Sequence, residues 1–153
     1  MSAPTPRIVA RALLGFWAVW FSVVTASNVA DAARDAGVLG PEWPFASGNF
    51  GLVAETLALY SIPRAGAAVL FAVVLGIEVA VSWLFWRAAH WPERSRILSA
   101  FFAGMVLFFG FLVFDEVLLI YRSHVPGLET SHFVVLVALV ASLILIYQLE
   151  ERA

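Results

Sequence analysis

The chain has 153 residues, 62% of them apolar and 13% charged, with a net charge of −2 and a mean hydropathy of +0.91. A soluble domain is about 45–50% apolar and about 25% charged, so this is the composition of a membrane protein, and the length allows one domain. The absence of cysteine excludes disulfides and thiolate metal or redox sites, and the slightly acidic balance gives no basis for nucleic-acid binding.

Residues 1–6 form a short polar tail. Arg7 and Arg11 then precede the apolar run Ala12 to Ala26. A basic flank, a short apolar core and the small residues Thr25-Ala26-Ser27 fit a signal peptide. The same run serves as a first transmembrane helix over residues 8–27, which is the reading adopted here. Trp17 and Trp20 suit a membrane boundary or a helix contact. Ser22, Thr25 and Asn28 recur every three residues as a polar stripe near its outer end.

Residues 28–63 form the longest segment that does not span. Asp31, Arg34 and Asp35 ride on an alanine-rich continuation of the first helix, which is expected to end near Gly37. Turn signals follow at Gly40-Pro41, Pro44 and Ser47-Gly48-Asn49. Phe50 to Tyr60 has a helical pattern of about eleven residues, too short to cross a bilayer. It is expected to be a short interfacial or partly re-entrant helix carrying Glu55.

The second span is placed at residues 64–89, with Glu78 near its middle and Trp83 and Trp86 at its far end as interface anchors. A polar turn around Pro92 leads to the third span, residues 96–122. Pro126-Gly127 marks the next turn, and residues 130–148 form the fourth span. The expected fold is therefore all-α: one transmembrane domain, a bundle of four spanning helices with a short interfacial helix in the first outer loop. With the N-terminus inside, the inner segments hold Arg7, Arg11, Arg87, Arg94, Arg96 and Arg152, and the outer ones hold Arg34, Arg64 and Arg122. That asymmetry places both termini in the cytoplasm, as expected of a multi-pass protein of a bacterial inner membrane.

Charged groups at membrane depth are the best pointers to function. Each costs about 2.5–3.5 kcal/mol on insertion scales. The third span carries two in succession, Asp115 and Glu116. Successive helical residues project about 100° apart, so at most one of the two points straight at the bundle axis. Asp115 and Arg122 are seven apart and share a face, which suggests an outer ion pair and leaves Glu116 free to face another helix. Glu78 lies about 21 Å along the second span, deeper than Glu116. Asn28, Asp31, Glu55, Tyr121, His124, Glu129 and His132 map to the outer boundary. Together these residues describe an outward-facing polar pocket or proton path descending to Glu78. A plainer reading stands beside it: an intramembrane carboxyl can carry its proton and bond a neighbouring helix as glue, with Ser82 a local partner for Glu78.

Helix packing has its own signal. Ala68, Ala72, Gly76 and Ala80 repeat every four residues, a stripe of small residues that allows close approach of another helix. Metal binding has a weaker one. Glu129 and His132 form Glu-x-x-His, the pairing that di-iron bundles use twice, and Glu116 and His124 could add ligands. The pair occurs once here, and Glu129 is equally explained as an acidic residue near a helix start. Haem, nucleotide and iron–sulfur cofactors are not expected, and no catalytic motif of an enzyme is present.

Three motifs carry a resemblance: Thr25-Ala26-Ser27-Asn28, Gly76-Ile77-Glu78 and Gly110-Phe111-Leu112-Val113-Phe114-Asp115-Glu116. In these the chain resembles a family of small bacterial integral membrane proteins of unassigned function. The resemblance implies four spans, a long first outer loop, an acidic residue in the second span and a Gly/Phe-rich third span with an acidic end. Here no tryptophan follows Asp115-Glu116, which departs from that pattern.

Three functions follow as expectations. The first is a protein whose outward acidic pocket binds a proton, a cation or a small cationic ligand. The second is a non-catalytic accessory subunit of a larger membrane complex, or a homo-oligomer, packed through the stripe of small residues. The third is a membrane metalloenzyme. Membrane lipid is a partner in each.

Overall fold

The computed structural model describes residues 5–118 and 128–151, apart from the side chains of Leu128, Glu129 and Glu150. Among them the only regular elements are helices: α1 (Pro6–Asp35), α2 (Asn49–Ala58), α3 (Arg64–His90), α4 (Arg94–Val117) and α5 (Leu128–Glu151). Four of these, all but α2, are long and apolar enough to cross a membrane, as the sequence predicts. The first helix continues past the span without a break to Asp35, close to the end expected near Gly37. α2 falls where the interfacial helix was expected.

Local chemistry sets the helix ends. α1 begins with Pro6, whose missing N–H is one that a helix start leaves unpaired anyway. It ends in a Schellman turn. Gly37 takes a left-handed φ of 73°, its N–H bonds the Arg34 carbonyl, and the Val38 N–H reaches back to the carbonyl of Ala33 at 2.8 Å. The same turn closes α2, with Ser61 in the left-handed position at φ 60° and the Ile62 N–H on the Leu57 carbonyl. Pro63 follows and α3 starts at once.

The chain forms two compact units. One comprises residues 20–80; the other comprises residues 1–19 and 81–153. In the first, Phe21, Phe50, Leu57, Ala67 and Phe71 are buried, and the rings of Phe50 and Phe71 meet edge-on at 5.4 Å. In the second, Leu14 and Trp17 of α1, Val81 and Phe85 of α3, Ile97 and Phe101 of α4, and Leu139 and Ile146 of α5 are buried. Trp17 donates its indole N–H to Ser142 of α5 at 3.1 Å, which makes it a helix contact.

The buried positions have a common spacing. On α3 the main line is Ala67, Phe71, Glu78, Val81, Phe85 and Ala88, with Ser82 beside it; on α4 it is Ile97, Phe101, Gly104, Phe108 and Asp115, with Ala100 and Leu107 beside it. Steps of three, four and seven residues average 3.5, the period of a narrow packing seam. Both seams carry an acid: Glu78 on one and Asp115 on the other.

Candidate functional site

Each acid meets a polar side chain of another helix. In the unit of residues 20–80, Glu78 is 3% exposed and Asn28 of α1 equally so. The Asn28 amide nitrogen donates to Oε1 of Glu78 at 2.8 Å and to Oε2 at 3.0 Å. The Asn28 carbonyl oxygen accepts from the Asn49 side-chain amide at 2.9 Å. Asn49 stands exposed at the start of α2. A line of hydrogen bonds thus runs from an exposed loop end to a buried carboxyl.

Asp31, one turn beyond Asn28, is compensated differently. It is 2% exposed. Its Oδ2 accepts the backbone N–H of Phe50 at 2.7 Å and the Ser47 hydroxyl at 3.3 Å, and its Oδ1 accepts from Arg34 at 2.6 Å. α2 begins after Gly48, which has no side chain to cap it. Asp31 supplies the missing acceptor from another helix, where the unpaired N–H groups and the helix dipole favour a carboxylate. Asp31 therefore carries both a cation and a helix start. Glu78 has neither: among the described residues its bonds all come from one neutral amide.

The cations of this unit are already engaged. Arg34 bonds Asp31, and Arg64 bonds Asp35. The unit holds five carboxyl groups (Asp31, Asp35, Glu42, Glu55 and Glu78) against these two arginines. One further polar atom is unused. Thr25 Oγ1, one turn before Asn28 on the same face of α1, is buried with no hydrogen-bond partner. Glu55 lies on the exposed side of α2 and takes no part in these bonds.

The second pair lies in the other unit. Asp115 is 2% exposed, and its Oδ2 accepts from Nδ1 of His132 on α5 at 2.7 Å. The rings of Phe111 and Phe108 stand 5.0 and 6.0 Å from the imidazole. Glu116 is exposed. The expected division between the two acids is thus reversed: Asp115 faces the neighbouring helix and Glu116 points outward. The geometric reason is the seam, because Asp115 lies seven residues from Phe108 and Glu116 falls off that line. Arg122, Tyr121 and His124 lie outside the described residues, as does the Glu129 side chain. Among the described residues no three histidine or acidic groups converge on a point that could hold a metal ion; His132 bonds Asp115 instead.

The small-residue stripe of α3 is not covered within the unit of residues 20–80. Ala68, Ala72, Gly76 and Ala80 are all exposed, and a Cβ built on Gly76 meets nothing within 4 Å. Glu78 lies on the opposite, buried side.

Sequence reasoning singled out Asn28, Asp31, Glu78, Asp115 and His132, but not which of them meet. It read Ser47 and Asn49 only as turn residues. The signal for their role was available: a helix start whose cap position is a glycine needs its acceptor from elsewhere. No protein-family model, curated protein or solved structure matches this chain, so the family resemblance stands on its three motifs alone.

Proposed function

We propose that this multi-pass membrane protein binds a proton, a small cation or a small cationic ligand at Glu78, from the side that carries the α1–α2 loop. The observation that carries the reading is the contrast between two buried acids. Asp31 has an arginine, a hydroxyl and a helix start; Glu78 has one neutral amide. A buried carboxylate without a cation is strongly destabilising, so the site favours a ligand that brings positive charge. Thr25 Oγ1 offers that ligand a second oxygen, and Asn49 and Asn28 mark the approach. The excess of carboxyl groups in the same unit favours a cation over an anion. In this reading the protein sits in a bacterial inner membrane with both termini in the cytoplasm and the α1–α2 loop outside.

The test is thermal stability of the purified protein in detergent, titrated with sodium, potassium and methylammonium chlorides at constant ionic strength and over a range of pH. A ligand at 100 times its Kd stabilises by about 2.7 kcal/mol. Wild type should be stabilised by one of these ions or by protons, and Glu78→Gln should not respond. An identical response in Glu78→Gln removes the proposal.

A second reading rests on the exposed stripe of α3. Small residues let helices approach closely in a membrane, and this stripe has no partner among the described residues of its own unit. On that reading a second copy, or a subunit of a larger complex, packs against Ala68, Ala72, Gly76 and Ala80.

A further inference from the structure

The turn between α3 and α4 is built differently from the acidic sites. A groove of about 580 Å³ opens there. Its walls include three indoles, Trp83, Trp86 and Trp91, together with Arg87, Arg96 and His90. All three tryptophans are between 40% and 61% exposed. Exposed indoles in this number have no packing explanation, since none of them contributes to the buried core.

Their position does have one. α3 contains 27 residues, about 40 Å of helix, whereas a bilayer core of about 30 Å takes about 20. The last turns of α3 therefore reach the headgroup level, where tryptophan is favoured for its apolar ring and polar N–H. One turn before Trp83 on the same face of α3, towards the bilayer core, Val79 is 54% exposed. The groove thus joins a polar, cationic mouth to an apolar helix surface.

The two guanidinium groups are held for binding. Arg87 lies over the Trp83 ring at 5.3 Å, and Arg96 lies over Trp91 at 5.9 Å. Stacking orients a guanidinium while leaving its edge N–H groups for an acceptor. Arg87 has no carboxylate partner among the described residues. Arg96 bonds Glu93 at 3.2 Å, but Glu93 is 61% exposed, and such surface pairs are worth about 0–1 kcal/mol. A phosphate can displace it. Arg94 is not available to the groove: it stacks on Tyr147 at 4.9 Å and bonds its hydroxyl. His90 donates Nδ1–H to the Trp86 carbonyl at 2.9 Å, which fixes the ring between two indoles.

We infer that the α3–α4 turn binds one anionic phospholipid. Its phosphate sits between Arg87 and Arg96, its headgroup lies among the three indoles, and its acyl chains run along Val79 and the Trp83 ring. The inference uses no residue of the Glu78 site and stands apart from the function proposed there.

Tryptophan quenching tests it. The protein is reconstituted in phosphatidylcholine vesicles containing about a tenth of acyl-brominated phosphatidylglycerol or, in parallel, acyl-brominated phosphatidylcholine. Quenching by the anionic lipid should exceed quenching by the zwitterionic one at least twofold. The excess should vanish in Arg87→Gln/Arg96→Gln and persist in Arg94→Gln. Equal quenching by both lipids, or an excess that survives the double substitution, overturns the inference. Should the double variant fail to fold, Glu93→Gln decides. Removing the competing carboxylate should raise the excess, and an unchanged or smaller excess overturns the inference as well.

Discussion

Asn28 gives a single amide nitrogen to both carboxyl oxygens of Glu78, and its own carbonyl is occupied by Asn49. Asn28 is therefore the only bridge between the loop end of α2 and the buried acid among the described residues. Removing it strands Glu78. Asn28→Ala should lower stability by about 1–3 kcal/mol, the penalty for a buried acceptor left without its donor. Glu78→Gln should change stability by less than about 1 kcal/mol, because an amide retains one acceptor for Asn28. The double variant Asn28→Ala/Glu78→Leu should recover most of the loss, since an apolar pair replaces a stranded polar group. Denaturation in detergent measures all three. Strictly additive losses from Asn28→Ala and Glu78→Leu would mean that the two side chains do not act on each other.

Asp31 makes a different prediction, because its carboxylate serves a helix start. Asp31→Ala removes the acceptor of the Phe50 N–H and the partner of Arg34 together. The expected loss is about 2–3 kcal/mol, a cap and a charged hydrogen bond combined. Asp31→Asn keeps an acceptor and should lose about half as much. The location of the damage is the sharper test: amide hydrogen exchange should accelerate at Asn49 to Ala54 and leave α4 unchanged. Uniform acceleration across the chain would show that Asp31 is not a local cap.

The four spans were legible in the sequence, because hydropathy and run length report directly on what a bilayer can hold. Asn28, Glu78, Asp115 and His132 were legible too, as polar groups in apolar runs. What could not be read was partnership. Periodicity states which side of a helix is buried and says nothing of which neighbour covers it, so Asn28 and Glu78, fifty residues apart, could not be joined. The same limit misassigned Asp115. Glu116 was read as the acid free to face another helix, whereas the seam through Phe108 turns Asp115 towards His132 and leaves Glu116 exposed. His132 itself was read as a metal ligand because its sequence spacing from Glu129 matched a known motif, and spacing along one helix is blind to an acid on the next.

That Asp115–His132 contact is the basis of a third prediction. Asp115 is 2% exposed, so losing its donor strands it. His132→Ala should lower stability by more than Asp115→Asn, with the difference about 1–2 kcal/mol. His132→Gln should restore part of it, because its side-chain amide can donate to the same carboxyl. A double-mutant cycle over Asp115 and His132 should give a coupling of at least about 0.5 kcal/mol. A coupling near zero would leave His132 as a ring packed on Phe111 and nothing more.

The two Schellman turns differ in one residue, and the difference is measurable. Gly37 takes its left-handed conformation without strain, whereas Ser61 carries a side chain at φ 60°. A non-glycine residue in that region costs about 1–2 kcal/mol, and glycine gives back part of this through greater freedom in the unfolded chain. Ser61→Gly should therefore stabilise by about 0.5 kcal/mol, and Gly37→Ala should destabilise by about 1 kcal/mol. Thermal unfolding of both variants tests the pair, and shifts of the same sign would contradict the argument.

The exposed stripe of α3 can be tested with unusual clarity, because the chain has no cysteine of its own. A Cβ at Gly76 meets nothing within 4 Å, so Gly76→Cys should fold normally. If two copies pack through the stripe, Gly76→Cys should form a disulfide-linked dimer in the membrane under mild oxidation, since bridged cysteines need Cα atoms within about 7 Å. Phe102→Cys, on an exposed face of α4, controls for random collision. Gly76→Leu should abolish close packing without affecting the monomer, because the space around it is open. Equal cross-linking at Gly76 and Phe102 would remove the homodimer. A Gly76→Leu variant that loses stability as a monomer would mean that the stripe is covered from within the chain.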